Sequence, residues 1–107
     1  MTTTSGAPDA QDAAAYLGPA AASWDEDTIG SALAAETAAQ ARSCRIPDPM
    51  PDDLREALLR RVAANLARRQ IGPLPGPQGD AEVPAVVPSR DPEVRRLEGP
   101  WRKLIFG

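Results

Sequence analysis

The residue types that most often carry catalysis or bind metal ions are scarce in this sequence of 107 residues. Histidine, the commonest general base and metal ligand, does not occur. The single cysteine, Cys44, lacks a histidine to activate it as a nucleophile and has no partner for an intramolecular disulfide bond. Gly72, Gly76 and Gly79 alternate with prolines, which provide no N–H group for a bound phosphate. We therefore expect no catalytic residues, no cofactor and no metal site.

Charged residues are the remaining candidates for chemistry, and they are distributed asymmetrically. Residues 1–40 contain six acidic and no basic residues, whereas residues 41–107 contain nine acidic and twelve basic ones. This polarity is compatible with head-to-tail contacts between copies, or with one face turned towards a polyanion. It is equally compatible with two solvated surfaces of opposite charge.

Five arginines lie in one predicted helix, where they are candidates for contacts with DNA phosphates. The alternative is a solvated helix with local ion pairs such as Glu56–Arg60. At 100° per residue the arginines are not confined to one face. Two of them fall within or beside the apolar stripe of the helix, where they must form ion pairs or extend to solvent. The five are Arg55, Arg60, Arg61, Arg68 and Arg69, and the two beside the stripe are Arg55 and Arg69.

The chain is short enough for one domain, and its composition favours a thin helical core. Twenty alanines and about two dozen bulky apolar residues offer little area to bury, while twelve prolines and eight glycines interrupt long helices. We predict an all-α protein of about four helices. Its predicted parts are a flexible N-terminus (1–8), a helical body (9–71), a Pro/Gly-rich loop (72–90), and a short helix with an extended C-terminal docking tail (91–107).

Start and stop signals predict the first two helices. Asp9 is the expected cap of a helix over residues 10–17, which Gly18-Pro19 ends. Ser23 and Glu26 match a capping box, in which the serine accepts from a backbone N–H and the glutamate reaches back. We therefore predict a second helix from this box to about residue 43.

The third helix, predicted over residues 51–70, has the clearest pattern. An apolar residue recurs every four positions and gives one stripe that faces the core. Asp91 predicts the cap of a short fourth helix that ends at Gly99-Pro100. Between these helices, residues 83–87 are compatible with a short edge strand. The core stripe consists of Leu54, Leu58, Val62 and Leu66.

The sequence ends in an apolar and basic segment, whereas chain ends are usually polar. These residues either fold back on the chain's own thin core or dock on another protein. Docking is the favoured interpretation, because aromatic anchors beside arginine are typical of binding hot spots. The segment consists of Trp101, Arg102, Lys103, Leu104, Ile105 and Phe106.

Signals for membrane insertion or secretion do not occur in the sequence. No apolar run approaches the ~20 residues that a membrane span requires. The first residues, MTTTSG, have neither the basic start nor the apolar stretch of a signal peptide. We expect a protein that is made in a cytoplasm and does not associate with a membrane.

Two blocks of the sequence resemble the head-to-tail connector adaptors of tailed bacteriophages that infect actinobacteria. The first is PDDLREALLRRVAANLARR, at residues 51–69, and the second is SRDPEVRRLEGPWRKLIFG, at residues 89–107. The resemblance covers roughly residues 50–107 and rests on helix pattern, spacing and the DPE and EGP sequences of the second block. Residues 1–49 share only the helical, alanine-rich character of such proteins.

The resemblance implies a small, mostly α-helical structural protein of a siphovirus-type virion neck, without enzymatic activity. Such adaptors form a homo-oligomeric ring, usually twelvefold, beneath the portal protein. Their other side receives the stopper or the next neck protein, and the ring extends the DNA channel for genome retention and ejection. The implied partners are the portal, the stopper, further copies of the chain, and phage DNA that passes without sequence-specific binding. The implied location is the neck of the virion, after assembly in the host cytoplasm.

Residue roles follow from the resemblance as expectations. Residues 101–106 are the predicted portal-docking tail, with Arg102 and Lys103 pairing with acidic groups of the portal. Four acidic residues are predicted to face the channel and to repel DNA phosphates there. For the first three of them, a place in the first turn of a helix is the competing interpretation, since negative charge is favourable there. The four are Asp25, Glu26, Asp27 and Glu36.

Two other functions compete with the adaptor interpretation. A small DNA-binding packaging or regulatory factor would use the third helix as its reader, and its binding would weaken steeply with salt. The acidic net charge of −3 argues against it. Another neck protein, such as a stopper or a tail-completion protein, would be richer in β-structure than this sequence, which lacks alternating strands.

Overall fold

The computed structural model describes residues 6–71 and 91–103, and within these ranges the protein is all-α, as predicted. Its four helices are α1 (Ala10–Leu17), α2 (Glu26–Ser43), α3 (Asp52–Ile71) and α4 (Pro92–Glu98), with 3₁₀ turns at Gly18–Ser23 and Gly99–Trp101. The predicted loop over residues 72–90, the strand over residues 83–87 and the tail residues 104–107 lie outside the described residues.

Helix α3 is the centre of the fold, because it packs against both α2 and α4 and also contacts α1. Its apolar stripe links two core clusters. Leu54 and Leu58 belong to the cluster at the start of α3, and Val62 and Leu66 to the cluster shared with α1 and α2. All four are at most 1% exposed.

Local caps account for the starts of the helices. Asp9 caps α1 as predicted, and Asp12 completes a capping box with it. Asp91 caps α4 as predicted by accepting the N–H of Glu93 at 2.9 Å.

The start of α2 corrects one prediction. Ser23 ends the 3₁₀ turn that follows α1, and it does not cap α2. Asp25 is the cap instead, and its carboxylate accepts the N–H of Thr28 at 2.7 Å. Serine and aspartate are about equally good caps, so two candidates two residues apart are not distinguished by their sequence pattern.

Residues 6–8, assigned above to a flexible N-terminus, lie against the body of the protein. Pro8 is buried, and the carbonyl of Gly6 accepts a hydrogen bond from the Nε of Arg55 at 3.2 Å. Arg55 also pairs with Asp12 at 3.1 Å. This arginine beside the apolar stripe therefore forms an ion pair, which is one of the two solutions its position allowed.

The chain returns to the end of α2 after α4. The N–H of Arg45 donates to the carbonyl of Trp101 at 2.8 Å, and the N–H of Lys103 donates to the carbonyl of Ser43 at 2.9 Å. These two bonds form an antiparallel bridge between Cys44 and Arg102. The last described residues are therefore held at the C-terminal end of α2.

Replacement by alanine should have opposite effects on stability at two glycines, one at the end of α1 and one inside α2. Gly18 ends α1 with φ 66° and ψ −140°, a backbone region that is nearly specific to glycine, so Gly18→Ala should destabilise the fold by about 1–3 kcal/mol. Gly30 lies inside α2 with no atom within 4 Å of an added Cβ, so Gly30→Ala should stabilise it by about 0.5–1 kcal/mol.

Chemical denaturation of both variants checks this prediction, and each is the control for the other because both add one methyl group. A neutral Gly18→Ala variant would show that the chain does not keep this backbone conformation at the end of α1.

Candidate functional site

Trp101 of the predicted docking tail is folded back on the chain's own core. Its ring packs against the cluster formed by Cys44, Met50, Leu54 and Leu58. The indole N–H donates to the carboxylate of Asp53 at 2.9 Å. For Trp101, the fold-back alternative therefore describes the observed position, and this side chain anchors the tail to the start of α3.

The two basic residues that follow Trp101 remain exposed. The guanidinium of Arg102 is 3.6 Å from the carboxylate of Glu98, and its side chain is 45% exposed. Lys103 is fixed by its backbone bond to Ser43, while its side chain is in solvent. The rest of the predicted docking tail, Leu104 to Phe106, lies outside the described residues.

A buried polar network joins α2, α3 and α4. The guanidinium of Arg61, 3% exposed, donates to both carboxylate oxygens of the fully buried Glu98, at 2.6 and 3.0 Å. It also donates to Glu36 at 3.3 Å. Gln40 donates to Glu98 at 3.0 Å, and Asn65 donates to Glu36 at 2.9 Å. One arginine thus compensates two carboxylates inside a small protein.

The sequence interpretation missed this network, although a periodic signal was present. Glu36 lies seven residues after Ile29 and four after Ala32, and Gln40 lies four further on, so all four share one face of α2. Arg61 lies three residues after Leu58, at the edge of the apolar stripe. Polar residues at core positions of two helices indicate that they bond to each other.

Glu36 corrects the prediction of channel-facing acids. It is 8% exposed and faces α3, where Arg61 and Asn65 bond to it, so it is not on a surface that DNA can approach. Asp25, Glu26 and Asp27 are exposed at the start of α2. Glu26 and Asp27 lie in the first turn of this helix, as the competing structural interpretation has it, and Asp25 is the residue that caps it.

The charges of the network shift the pKa values of its members. Burial acts to raise the pKa of Glu98, but the hydrogen bonds from Arg61 and Gln40 and the charges of Arg61 and Arg102 outweigh it, so this pKa lies below its ordinary value. Burial acts to lower the pKa of Arg61, and the bonds to Glu98 and Glu36 outweigh it, so this pKa lies above its ordinary value. Both groups are charged in the folded protein at neutral pH.

The arginines of α3, considered above as DNA contacts, are largely occupied within the chain. Arg55 pairs with Asp12, Arg61 with Glu98, and Arg60 with Asp91 at 3.4 Å. The predicted local pair between Glu56 and Arg60 is replaced by this contact with α4, and Glu56 accepts from the Tyr16 hydroxyl instead. Arg69 donates to Asn65 at 2.8 Å. Among the five, Arg68 alone has no such contact in the described ranges.

Cys44 is buried against the chain segment that contains Arg102. Burial is the main cause that raises the pKa of its thiol above the ordinary value. A thiol in this state is not a reactive nucleophile. Cys44 therefore acts as a small apolar residue of the core.

An apolar groove of about 300 Å³ lies at the opposite end of α2 from the C-terminal segment. It is formed where α1, the 3₁₀ turn and the first turns of α2 meet. Gln11 and Glu26 are the polar residues that line it. Its apolar walls come from Ala10, Ala14, Ala21, Trp24 and Ile29.

Comparison with protein-family models, with curated proteins and with solved structures finds no match to this chain. The described ranges contain no cluster of three or more histidine, cysteine, aspartate or glutamate side chains that could hold a metal ion. No helix there combines the length and apolarity that a membrane crossing needs.

We expect Arg61→Met to destabilise the fold by about 3–5 kcal/mol, because it leaves Glu98 and Glu36 buried without a compensating charge. Adding Glu98→Met to this variant should recover part of the loss, since the unpaired carboxylate at the centre is then removed. Denaturant unfolding of the two single variants and the double variant measures the coupling. Additive effects would show that the two side chains do not interact.

Acid should weaken the fold through Glu98. A carboxylate whose pKa is depressed by folding stabilises the protein above its ordinary pKa of 4.5, and this stabilisation is lost as the pH falls through the lowered value. Glu98→Gln should be less stable at neutral pH and should lose less stability below pH 4.5. Asp12, Asp25 and Glu93 also have lowered pKa values, but they are present in both proteins, so the difference between the two pH profiles reports Glu98. Parallel profiles would contradict the assignment.

Proposed function

We propose that this chain is a structural virion protein, a head-to-tail connector adaptor that assembles as a ring between the portal and the stopper of a tailed phage. The observation that carries the proposal is the resemblance of residues 50–107 together with the use the fold makes of these residues. Asp53 and Arg61 of the first block bond to Trp101 and Glu98 of the second. The residues that give the resemblance are thus the ones that join α3, α4 and the start of the tail.

The position of the C-terminal segment supports a docking role for the residues beyond it. Trp101 and the backbone of Lys103 fix the start of the tail, so an apolar end that follows is presented from a defined place. Arg102 and Lys103 are exposed and available for acidic groups of the portal. The proposed docking residues are therefore Leu104, Ile105 and Phe106 with these two cations, while Trp101 is their anchor.

The exposed acidic residues support a surface that repels DNA. Glu26 and Asp27 extend into solvent beside the capping Asp25, and residues 1–40 contain no basic residue. In a ring these carboxylates would repel phosphates if they lined the channel. We propose this place for them, without Glu36.

A direct DNA-binding function has less support. Four of the five arginines of α3 bond to groups within the chain, and Arg61 is buried. Phosphate contacts would have to break these bonds. A stopper or tail-completion protein is also less well supported, since the described residues form helices without strands.

We expect a chain that lacks residues 104–107 to lose attachment to the portal protein of its own phage while it keeps its helical circular dichroism. The reason is that the deletion removes the apolar end but leaves the anchor Trp101 and the network around Glu98. Co-sedimentation with assembled portal rings measures attachment. Tyr16→Ser, which removes an exposed large side chain of α1, is the control and should attach normally.

Cryo-electron microscopy of intact particles tests the assembly itself. The proposal requires a helical ring of this chain directly beneath the portal. Attachment that survives the deletion would refute the docking tail, and a neck without this chain would refute the adaptor function.

A further inference from the structure

The groove at the start of α2 is an apolar surface that the described part of the chain does not fill. Trp24 and Ile29 form its bulky walls, and Ala10, Ala14 and Ala21 leave the space between them open. Its volume of about 300 Å³ is at the lower limit of protein ligand pockets, which suits one or two apolar side chains. A branched aliphatic or aromatic side chain on a peptide is therefore the fitting occupant.

The charge at the rim of the groove selects a basic occupant. Glu26 lines the groove, and the exposed residues Asp25 and Asp27 are its neighbours in the sequence. The C-terminal segment of this same chain has the complementary chemistry, because Arg102 and Lys103 are exposed and the sequence Leu-Ile-Phe follows them. Opposite charges at facing surfaces favour and orient such an encounter.

The tail cannot reach the groove of its own molecule. Lys103 is bonded to Ser43 at the last turn of α2, whereas Ile29 and Glu26 are in its first turns. At 1.5 Å per residue these positions lie about 21–26 Å apart along the helix. The three residues from Lys103 to Phe106 span at most about 11 Å when fully extended. Any tail that occupies a groove therefore comes from another copy.

We propose that, without the portal, one or two of the apolar side chains of residues 104–106 of one copy insert into the groove of a second copy, with Arg102 and Lys103 facing Glu26 and its neighbours. The proposal rests on the docking role of the tail in the proposed function. Tail and groove are different surfaces at opposite ends of α2, so the contact is head-to-tail and repeats from copy to copy into a ring or an open chain. In the particle, the portal competes for the same tail.

The oligomeric state of the purified full chain tests the proposal. Sedimentation velocity should show concentration-dependent association of the full chain, which the deletion of residues 104–107 abolishes. Ala14→Arg places a long cation in the groove and should also give monomers. Ala15→Arg makes the same change at the adjacent exposed position of α1 and should associate like the parent. A monomeric full chain, or equal behaviour of the Ala14→Arg and Ala15→Arg variants, overturns the proposal.

A peptide experiment covers the case in which Ala14→Arg fails to fold. The synthetic peptide RKLIFG, residues 102–107, contains no tryptophan and is titrated into the truncated chain while Trp fluorescence is followed. We expect saturable binding of the peptide that weakens as salt is added. The Glu26→Lys substitution should weaken this binding about fivefold. A peptide with Glu in place of Arg102 and Lys103 should bind Glu26→Lys better than the parent chain. Absence of binding, or binding insensitive to Glu26→Lys, overturns the proposal.

Failure of this proposal is distinguishable from failure of the proposed function. A full chain that stays monomeric but attaches to portal rings through its tail leaves the adaptor function in place and excludes self-docking. A chain that associates through the groove but is not found in the neck supports self-docking and refutes the adaptor function.

Discussion

The buried pair between Arg61 and Glu98 is the interaction on which the arrangement of the helices depends. The two side chains are 3% and 0% exposed, and two parallel hydrogen bonds join them. A hydrophobic pair of equal volume would stabilise a core as much or more, so stability is not what such a pair contributes best. A guanidinium fork has one good geometry against a carboxylate. We infer that the pair specifies how α4 lies on α3 in a protein whose apolar core is thin.

The pair also determines where the chain leaves the fold. α4 is short, and it is separated in sequence from α3 by the twenty residues 72–91. Its attachment depends on Val94, on Glu98 and on the contact of Asp91 with Arg60. The 3₁₀ turn follows immediately, and it brings Trp101 onto the second core cluster. Loss of the Arg61 charge, which leaves Glu98 unpaired, should therefore also disturb the position of the tail.

Most parts of the fold that local sequence controls were predictable, with the cap of α2 as the exception, and the parts that depend on remote partners were not. Asp9 and Asp91 cap helices through atoms two or three residues away, so their sequence neighbourhood is sufficient. The stripe from Leu54 to Leu66 needs only the helical period. Glu36 appeared to be a surface acid because its partner is 25 residues away.

The fate of the tail shows the same limit in a different form. An apolar and basic end is compatible with docking or with folding back, and sequence gives no distance between Trp101 and Asp53, which are 48 residues apart. The fold divides the segment between the two interpretations: Trp101 is used internally, while Arg102 and Lys103 remain exposed. The charge asymmetry of the sequence likewise indicated two surfaces of opposite charge, but not which residues lie on them. Glu36 is buried, and most arginines of α3 are paired within the chain.

The geometry of α2 connects this polarity with assembly. One end of this 18-residue helix receives the C-terminal segment, and the other borders an acidic, apolar groove. A subunit whose two complementary surfaces coincide can form only closed pairs, whereas surfaces separated along a rigid rod join one copy to the next. The separation exceeds the extended length of residues 104–106, so in the proposed contact these residues come from a second copy. In the proposed function, a second copy and the portal would compete for the tail, and the outcome would depend on their relative affinities and concentrations.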